Sequence, residues 1–225
     1  MIKNISNLGD AAVYCDFGEE VNKDINLNVI KYFRTLKDKK LKGVTNLAPS
    51  YNKLIIAYDL NETTFFELKN KILDLNIEDK SRNQISKISI PICCEDEYAL
   101  DIERLQNKLE KTKSEIIKIF IDKSYYCYMT GFVAGMPFLG DIDKNIQLNR
   151  LETPRVKVPK GSVGLTEQFC NVYTFESPGG WNIIGNTPLN IFNPRYEKKP
   201  NLISPGDEVT FYEINKKDYI KIYEK

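Results

Sequence analysis

Residues 160–194 read KGSVGLTEQFCNVYTFESPGGWNIIGNTPLNIFNP. Short runs of β-branched and aromatic residues alternate here with turn formers. Val172 to Phe175 is expected as a strand, because such side chains suit a pleated, half-buried surface. Pro178-Gly179 is expected as a tight turn, since proline presets φ and glycine accepts positive φ without steric cost. Trp181 to Ile184 is then the returning strand, ended by Gly185-Asn186. Trp181 is the chain's single tryptophan. A large aromatic at a hairpin start is a core residue or the wall of a groove.

Working outward, punctuation is uneven. Of 12 glycines and 10 prolines, 9 and 8 lie after residue 130. Longer regular elements are expected before that point and short strands joined by turns after it. Ala11 to Phe17 is a strand candidate. Asn22 or Asp24 can cap a helix carrying Val29, Ile30, Phe33 and Leu36 at a 3.6-residue period. Val44 to Ala48 and Lys53 to Tyr58 are strands around a Pro49-Asn52 turn. A second helix begins near Asn61 with Phe65, Leu68, Ile72 and Leu75 inward, and Ile85 to Cys93 closes the set. The order β-α-β-β-α-β is the ferredoxin-like split βαβ arrangement, expected over residues 1–94. Residues 95–225 are expected to hold linking helices and a β-barrel or sandwich. Within the linker, Thr112-Lys113-Ser114-Glu115 is a capping box that starts a helix. Residues 194–200, PRYEKKP, form a charged connection, and Glu208 to Ile214 is the last strand.

Composition narrows the chemistry. At 225 residues with 42% hydrophobic and 28% charged residues, the chain is long enough for one large core or two small ones. A net charge of +1 leaves no electrostatic footprint for nucleic acid or an anionic membrane. No apolar run approaches a membrane span or a signal-peptide core, and a cytoplasmic setting is expected. The chain has no histidine. Ser-His-Asp and Cys-His catalysis are therefore excluded within it, and no metal site is expected. The five cysteines form no C-x-x-C pair and are expected as buried free thiols in a reducing compartment.

Two further stretches carry candidate site residues. Gly131-Phe132-Val133-Ala134-Gly135-Met136-Pro137-Phe138-Leu139-Gly140 either lets a ligand approach the backbone or plugs the core with Phe132 and Phe138. Arg150 and Arg155 are two of only six arginines and stand five residues apart beside turn formers. Their planar forks suit a carboxylate or phosphate. An exposed pair with Glu152 is the alternative.

Together these residues resemble the KipI family, also called allophanate hydrolase subunit 1 or the B component of 5-oxoprolinase. The resemblance runs along nearly the whole chain. It rests on Gly131-Phe132 with Gly135 and Pro137-Phe138-Leu139-Gly140, on Pro154-Arg155, and on Val158-Pro159 with Gly161-Ser162-Val163-Gly164. Glu176-Ser177-Pro178-Gly179-Gly180-Trp181, Thr187-Pro188-Leu189 and Pro205-Gly206-Asp207 complete it. The chain departs from the family at Glu167-Gln168-Phe169-Cys170-Asn171, where members usually carry a Gly-x-Gln-Thr-Gly-like segment. It departs also at Ala134, Met136 and Asp141, so the cleft floor is expected to be resurfaced.

The resemblance implies an α+β protein, with a small N-terminal domain followed by a cyclophilin-like β-barrel. It implies the B component of a bacterial ATP-dependent 5-oxoprolinase, acting with subunits A and C to convert 5-oxoproline to glutamate. The isolated chain is not expected to turn over alone, and ATP is expected to be shared with the complex. Arg155 and Glu176 are then the candidate catalytic groups. Arg150, Phe132, Pro137, Phe138, Ser162, Ser177 and Trp181 are candidate substrate contacts. Arg155 could instead be a barrel-rim ion pair, and Glu176 a backbone cap. The alternative implied by the family is a KipI-like inhibitor that binds a sensor histidine kinase and performs no chemistry.

Overall fold

The computed structural model describes residues 1–77, 85–196 and 199–224. Two units divide the chain, Met1–Ile85 and Ser86–Lys225. Residues 197 and 198 of the charged connection lie outside the described residues.

The first unit is a four-stranded antiparallel sheet with two helices. Its elements are β1 (Asn4–Asn7), β2 (Ala12–Asp16), α1 (Lys23–Lys39), β3 (Val44–Pro49), β4 (Lys53–Tyr58) and α2 (Phe65–Leu73), in strand order β1-β2-β4-β3. Helix α1 forms where its apolar period predicts. The Asn22 side chain accepts the Ile25 N–H at 2.9 Å, Val29, Ile30 and Leu36 are buried, and Lys40 ends the helix in a left-handed conformation. Helix α2 begins with a capping box of Thr64 and Glu67. The strand residues Val13, Cys15, Leu54 and Ile56 alternate inward and pack with Val29, Leu36, Leu68 and Ile72.

The element order is β-β-α-β-β-α rather than the expected split βαβ. The strand that was to close this unit, β5 (Lys87–Cys93), belongs to the second one. It pairs in parallel with β13 (Glu208–Ile214) over seven residues, and Cys93 pairs with Asn186 of β12 (Asn182–Asn186). The boundary therefore falls at 85/86 rather than 94/95. Strand β5 reads as a strand locally, but its partner lies some 120 residues further on, which no local pattern can reveal.

The second unit is a closed barrel. After α3 (Ile102–Leu109) and α4 (Lys113–Ile121) come β6 (Ser124–Thr130), β7 (Pro137–Gly140), β8 (Arg155–Val158), β9 (Ser162–Thr166), β10 (Phe169–Val172) and β11 (Ser177–Gly179). The barrel closes in the order β10-β7-β6-β13-β5-β12-β9, and β11 pairs with β8 as a separate two-stranded sheet. The helix α5 (Lys216–Tyr223) ends the chain and was not foreseen. Ile90, Ile92, Cys127, Leu139, Val163, Leu165, Cys170, Val172, Ile184, Val209 and Phe211 join one core with α3 and α4 residues such as Leu105, Ile116 and Phe120. The Thr112–Glu115 capping box forms as expected.

The opening stretch differs from expectation in two places. The strand β10 ends at Val172; Tyr173 still bonds the backbone of Ser162 and Gly161, and Thr174 to Glu176 leave the sheet. Thr174 Oγ1 donates to the Ala134 carbonyl at 2.8 Å, tying this departure to the glycine-rich loop. Pro178-Gly179 is no turn. It lies in β11, and Gly179 stands opposite Arg155. A Cβ at Gly179 would run into the Tyr173 phenol oxygen, so glycine is needed there for close approach rather than for positive φ.

Candidate functional site

Strand alternation sets the floor of the site. With Leu139, Cys170, Val163 and Leu165 turned into the barrel, Phe138, Asn171 and Gly164 face outward. Register makes them neighbours: Asn171 pairs with Phe138 on one side and with Gly164 on the other, and Gly164 pairs with Ile183. Over this row stands a small second cluster of Met136, Val158, Tyr173 and Ile183.

The result is a cleft of about 290 Å³ lined by Phe132, Met136, Phe138, Arg150, Asn171, Tyr173 and the run Pro178-Gly179-Gly180-Trp181. Trp181 meets Phe138 edge to face, with ring centroids 5.6 Å apart. Phe132 is 68% exposed at a φ of 67°. A non-glycine residue held left-handed while exposing its ring is a strained arrangement of the kind that accumulates at ligand clamps. It does not plug the core.

Arg150 is presented from both sides. Asn182 Nδ2 donates to the Asn149 carbonyl at 3.2 Å and to the Leu165 carbonyl at 3.1 Å, and Leu151 N–H donates to the Gly180 carbonyl at 2.7 Å. Arg104 in turn donates to Asn182 Oδ1. The guanidinium lies over Gly180, where a Cβ would come within 3.2 Å of Nε and Nη2. Among the described residues, no carboxylate forms an ion pair with it. The cleft therefore offers an open cation at one end and aromatic walls around a flat space. Burial pushes the Tyr173 phenol up, against hydrogen bonds from Asn171 and the Trp181 backbone and the charges of Arg150 and Arg155.

Arg155 does not reach this space. Its Nη1 and Nη2 donate to Asp101 Oδ2 and Oδ1 at 2.9 and 2.6 Å. Asp101 is only 5% exposed, and its Oδ2 also accepts the Ile183 N–H at 2.7 Å. This bidentate pair locks the start of α3 and the two-stranded β8–β11 sheet to β12.

Glu176 is exposed and pairs with Lys157 at 2.9 Å. It lines a separate hollow of about 370 Å³ with Ser162, Lys160, Asn186, Tyr98, Tyr219 and Tyr223. There Asn186 Nδ2 reaches Ser162 Oγ at 3.5 Å, and Tyr219 donates to Asn186 Oδ1 at 2.9 Å. Pro137 is buried at the start of β7, and Ser177 is buried beside Pro178. Phe132 and Trp181 thus line one hollow, and Arg155 lies outside it. Arg150 takes that place.

Sequence reasoning missed Asn171, Tyr173, Asp101 and Asn182. Asn171 lay in the departing segment, which marked the floor without singling out a residue. Tyr173 was hidden in an expected strand, and Asp101 and Asn182 had no local signal.

The closed barrel thus carries on its outer face an aromatic cleft with one guanidinium that no carboxylate pairs among the described residues. A family model described as "Carboxyltransferase domain, subdomain C and D" matches residues 3–203. The chain belongs to that family. It is 33% identical to the 5-oxoprolinase B component of Bacillus subtilis over 227 residues, covering 96% of this chain and 94% of that protein. It is 30% identical over 209 residues to the 5-oxoprolinase B component of Haemophilus influenzae, covering 92% and 96%. The resemblance read from the motifs therefore holds. Among solved structures, TTHA0988 superposes with a TM-score of 0.83 at 25% identity, covering 91% of this chain and 40% of that one.

Proposed function

We propose that the chain is the B component of an ATP-dependent 5-oxoprolinase, acting with subunits A and C to convert 5-oxoproline to glutamate, and that its cleft holds the substrate. The carrying observation is Arg150, an exposed guanidinium without an ion-pair partner among the described residues, which lines an aromatic hollow from a segment that Asn182 ties down at Asn149. A bidentate fork suits the carboxylate of a small cyclic acid. Phe132, Phe138 and Trp181 suit its flat ring and exclude water from it. Match to the 5-oxoprolinase relatives along nearly their full length supports the same reading.

ATP fits this cleft poorly. A triphosphate carries several negative charges, and the hollow of about 290 Å³ offers it one guanidinium. ATP use belongs to the assembled complex, with this chain holding the ring. Arg155 and Glu176, proposed from the motifs as catalytic, act here through structure: Arg155 as a positioning residue on Asp101, and Glu176 and Ser162 at the second hollow. The closed barrel supports a cyclophilin-like kinship, and five buried thiols support a cytoplasmic setting. No helix among the described residues is long and apolar enough to cross a membrane. The kinase-binding alternative is not favoured, because the relatives carry the 5-oxoprolinase name.

The test is glutamate formation from 5-oxoproline and ATP by the chain assembled with A and C subunits. Arg150→Ala should raise KM by 10- to 100-fold, the scale of one lost charge-assisted pair. An unchanged kcat/KM removes the cleft from the reaction. No turnover by the unaltered assembly overturns the assignment to this enzyme.

A further inference from the structure

Three described side-chain atoms are buried without a hydrogen-bond partner: Asn171 Oδ1, Ser177 Oγ and Asn201 Oδ1. One of them, on Asn171, belongs to a residue that lines the cleft. Asn171 is 1% exposed and stands at the centre of the floor, between Phe138 and Gly164. The other end of its amide is engaged. Nδ2 approaches Met136 Sδ at 3.8 Å. Among the described residues, no donor reaches the buried carbonyl oxygen.

Its place is made by a missing side chain. A Cβ on Gly164 would lie 2.9 Å from Asn171 Oδ1 and 3.0 Å from Trp181 Cβ. The fold thus keeps a glycine beneath an acceptor that no donor among the described residues uses. A stranded acceptor is costly to folding, and such an atom in a native structure calls for an explanation.

The inventory of the cleft specifies its complement. Arg150 asks for an anion, the aromatic walls for a flat body, and Asn171 Oδ1 for an N–H or O–H donor. A five-membered lactam bearing a carboxylate supplies all three. Resting on the substrate reading above, we propose that Asn171 is the specificity-determining residue, its carbonyl accepting the ring N–H of the lactam. A ring oxygen in place of the N–H would set two acceptors against each other. Sites with a dedicated hydrogen-bond partner reject analogues that lack it far more strongly than apolar pockets reject a change of size.

The experiment compares Asn171→Leu with the unaltered chain, each assembled with A and C subunits. One arm measures kcat/KM for 5-oxoproline. The other measures inhibition by the lactone analogue, which has the same carboxylate and carbonyl but a ring oxygen for the N–H. Asn171→Leu is expected to lower kcat/KM by 10- to 100-fold while the inhibition constant of the lactone moves by less than about 3-fold. Gly164→Ala presses on Oδ1 without removing it, and should give the same selective loss on a smaller scale should the leucine variant fail to fold. Unchanged kcat/KM, or parallel weakening toward lactam and lactone, overturns the role of Asn171 while leaving the cleft in place. An unaltered assembly with no turnover overturns the 5-oxoprolinase reading, and the role of Asn171 falls with it.

Discussion

The two arginines that stand together in the sequence have opposite fates, and the difference is a matter of which carboxylate each can reach. Arg155 sits on β8 opposite Gly179, within reach of the buried Asp101, and both of its terminal nitrogens are engaged there. Arg155→Ala would leave that buried carboxylate with only the Ile183 N–H, at a cost of roughly 3 kcal/mol, since breaking a buried pair strands a charge. Chemical denaturation should show a lowered midpoint with an unchanged slope. Arg155→Lys should recover little, because a point charge cannot make the bidentate contact. Arg150 is different. It is held only through its neighbours, so Asn182→Ala should free the 149–151 segment and raise KM for 5-oxoproline several-fold with kcat nearly unchanged. A fall in kcat alone would show that Asn182 acts on something other than Arg150.

At the scale of elements, the parts that form from local rules were legible and the parts that form from distant pairing were not. The helix α1 could be read from its cap and its apolar spacing, and α4 from the Thr112–Glu115 box, because both signals lie within a few residues. Thr112→Ala should accordingly cost about 1 kcal/mol, measured as a lower unfolding midpoint. Strand β5 was legible as a strand and misassigned as to sheet, since β13 pairs with it from across the chain. The Pro178-Gly179 pair carries genuine turn chemistry. Here the backbone is extended instead, because Gly179 packs on the Tyr173 phenol. The site followed the same division. Phe132, Phe138, Arg150 and Trp181 drew notice by rarity or clustering, while Asn171 mattered only once register placed it between Phe138 and Gly164.

One element contact makes stability depend on pH. Asp16, at the end of β2, accepts from Lys53 Nζ at 2.5 Å at the start of β4. That hydrogen bond, with one from the Gly18 backbone, holds its carboxyl below the usual value of 3.8. A lowered carboxylate pKa favours the folded state above the unfolded value and loses that contribution as pH falls through the folded one. Unfolding midpoints of the unaltered chain should therefore drop on acidification below about pH 4 more steeply than those of Asp16→Asn. Parallel curves would show that the pair contributes nothing to the β2–β4 pairing.

For the whole molecule, the decisive matter is where the barrel begins. The seven strands close only because β5 stands between β13 and β12, bonded in parallel to the one and antiparallel to the other. Its Ile90 and Ile92 are fully buried in the barrel core. A fragment of residues 86–225 carries all of these strands. A fragment of residues 95–225 leaves β12 and β13 as open edges and removes two core isoleucines, each worth about 2–5 kcal/mol when cut back to alanine. Domains of this size have only about 5–15 kcal/mol in hand. The longer fragment should melt in a single sigmoidal step with near-ultraviolet dichroism from a fixed Trp181. The shorter should show neither a cooperative transition nor that signal. Equal cooperativity in both fragments would mean that the barrel can close without β5, and the boundary at residue 85 would lose its physical basis.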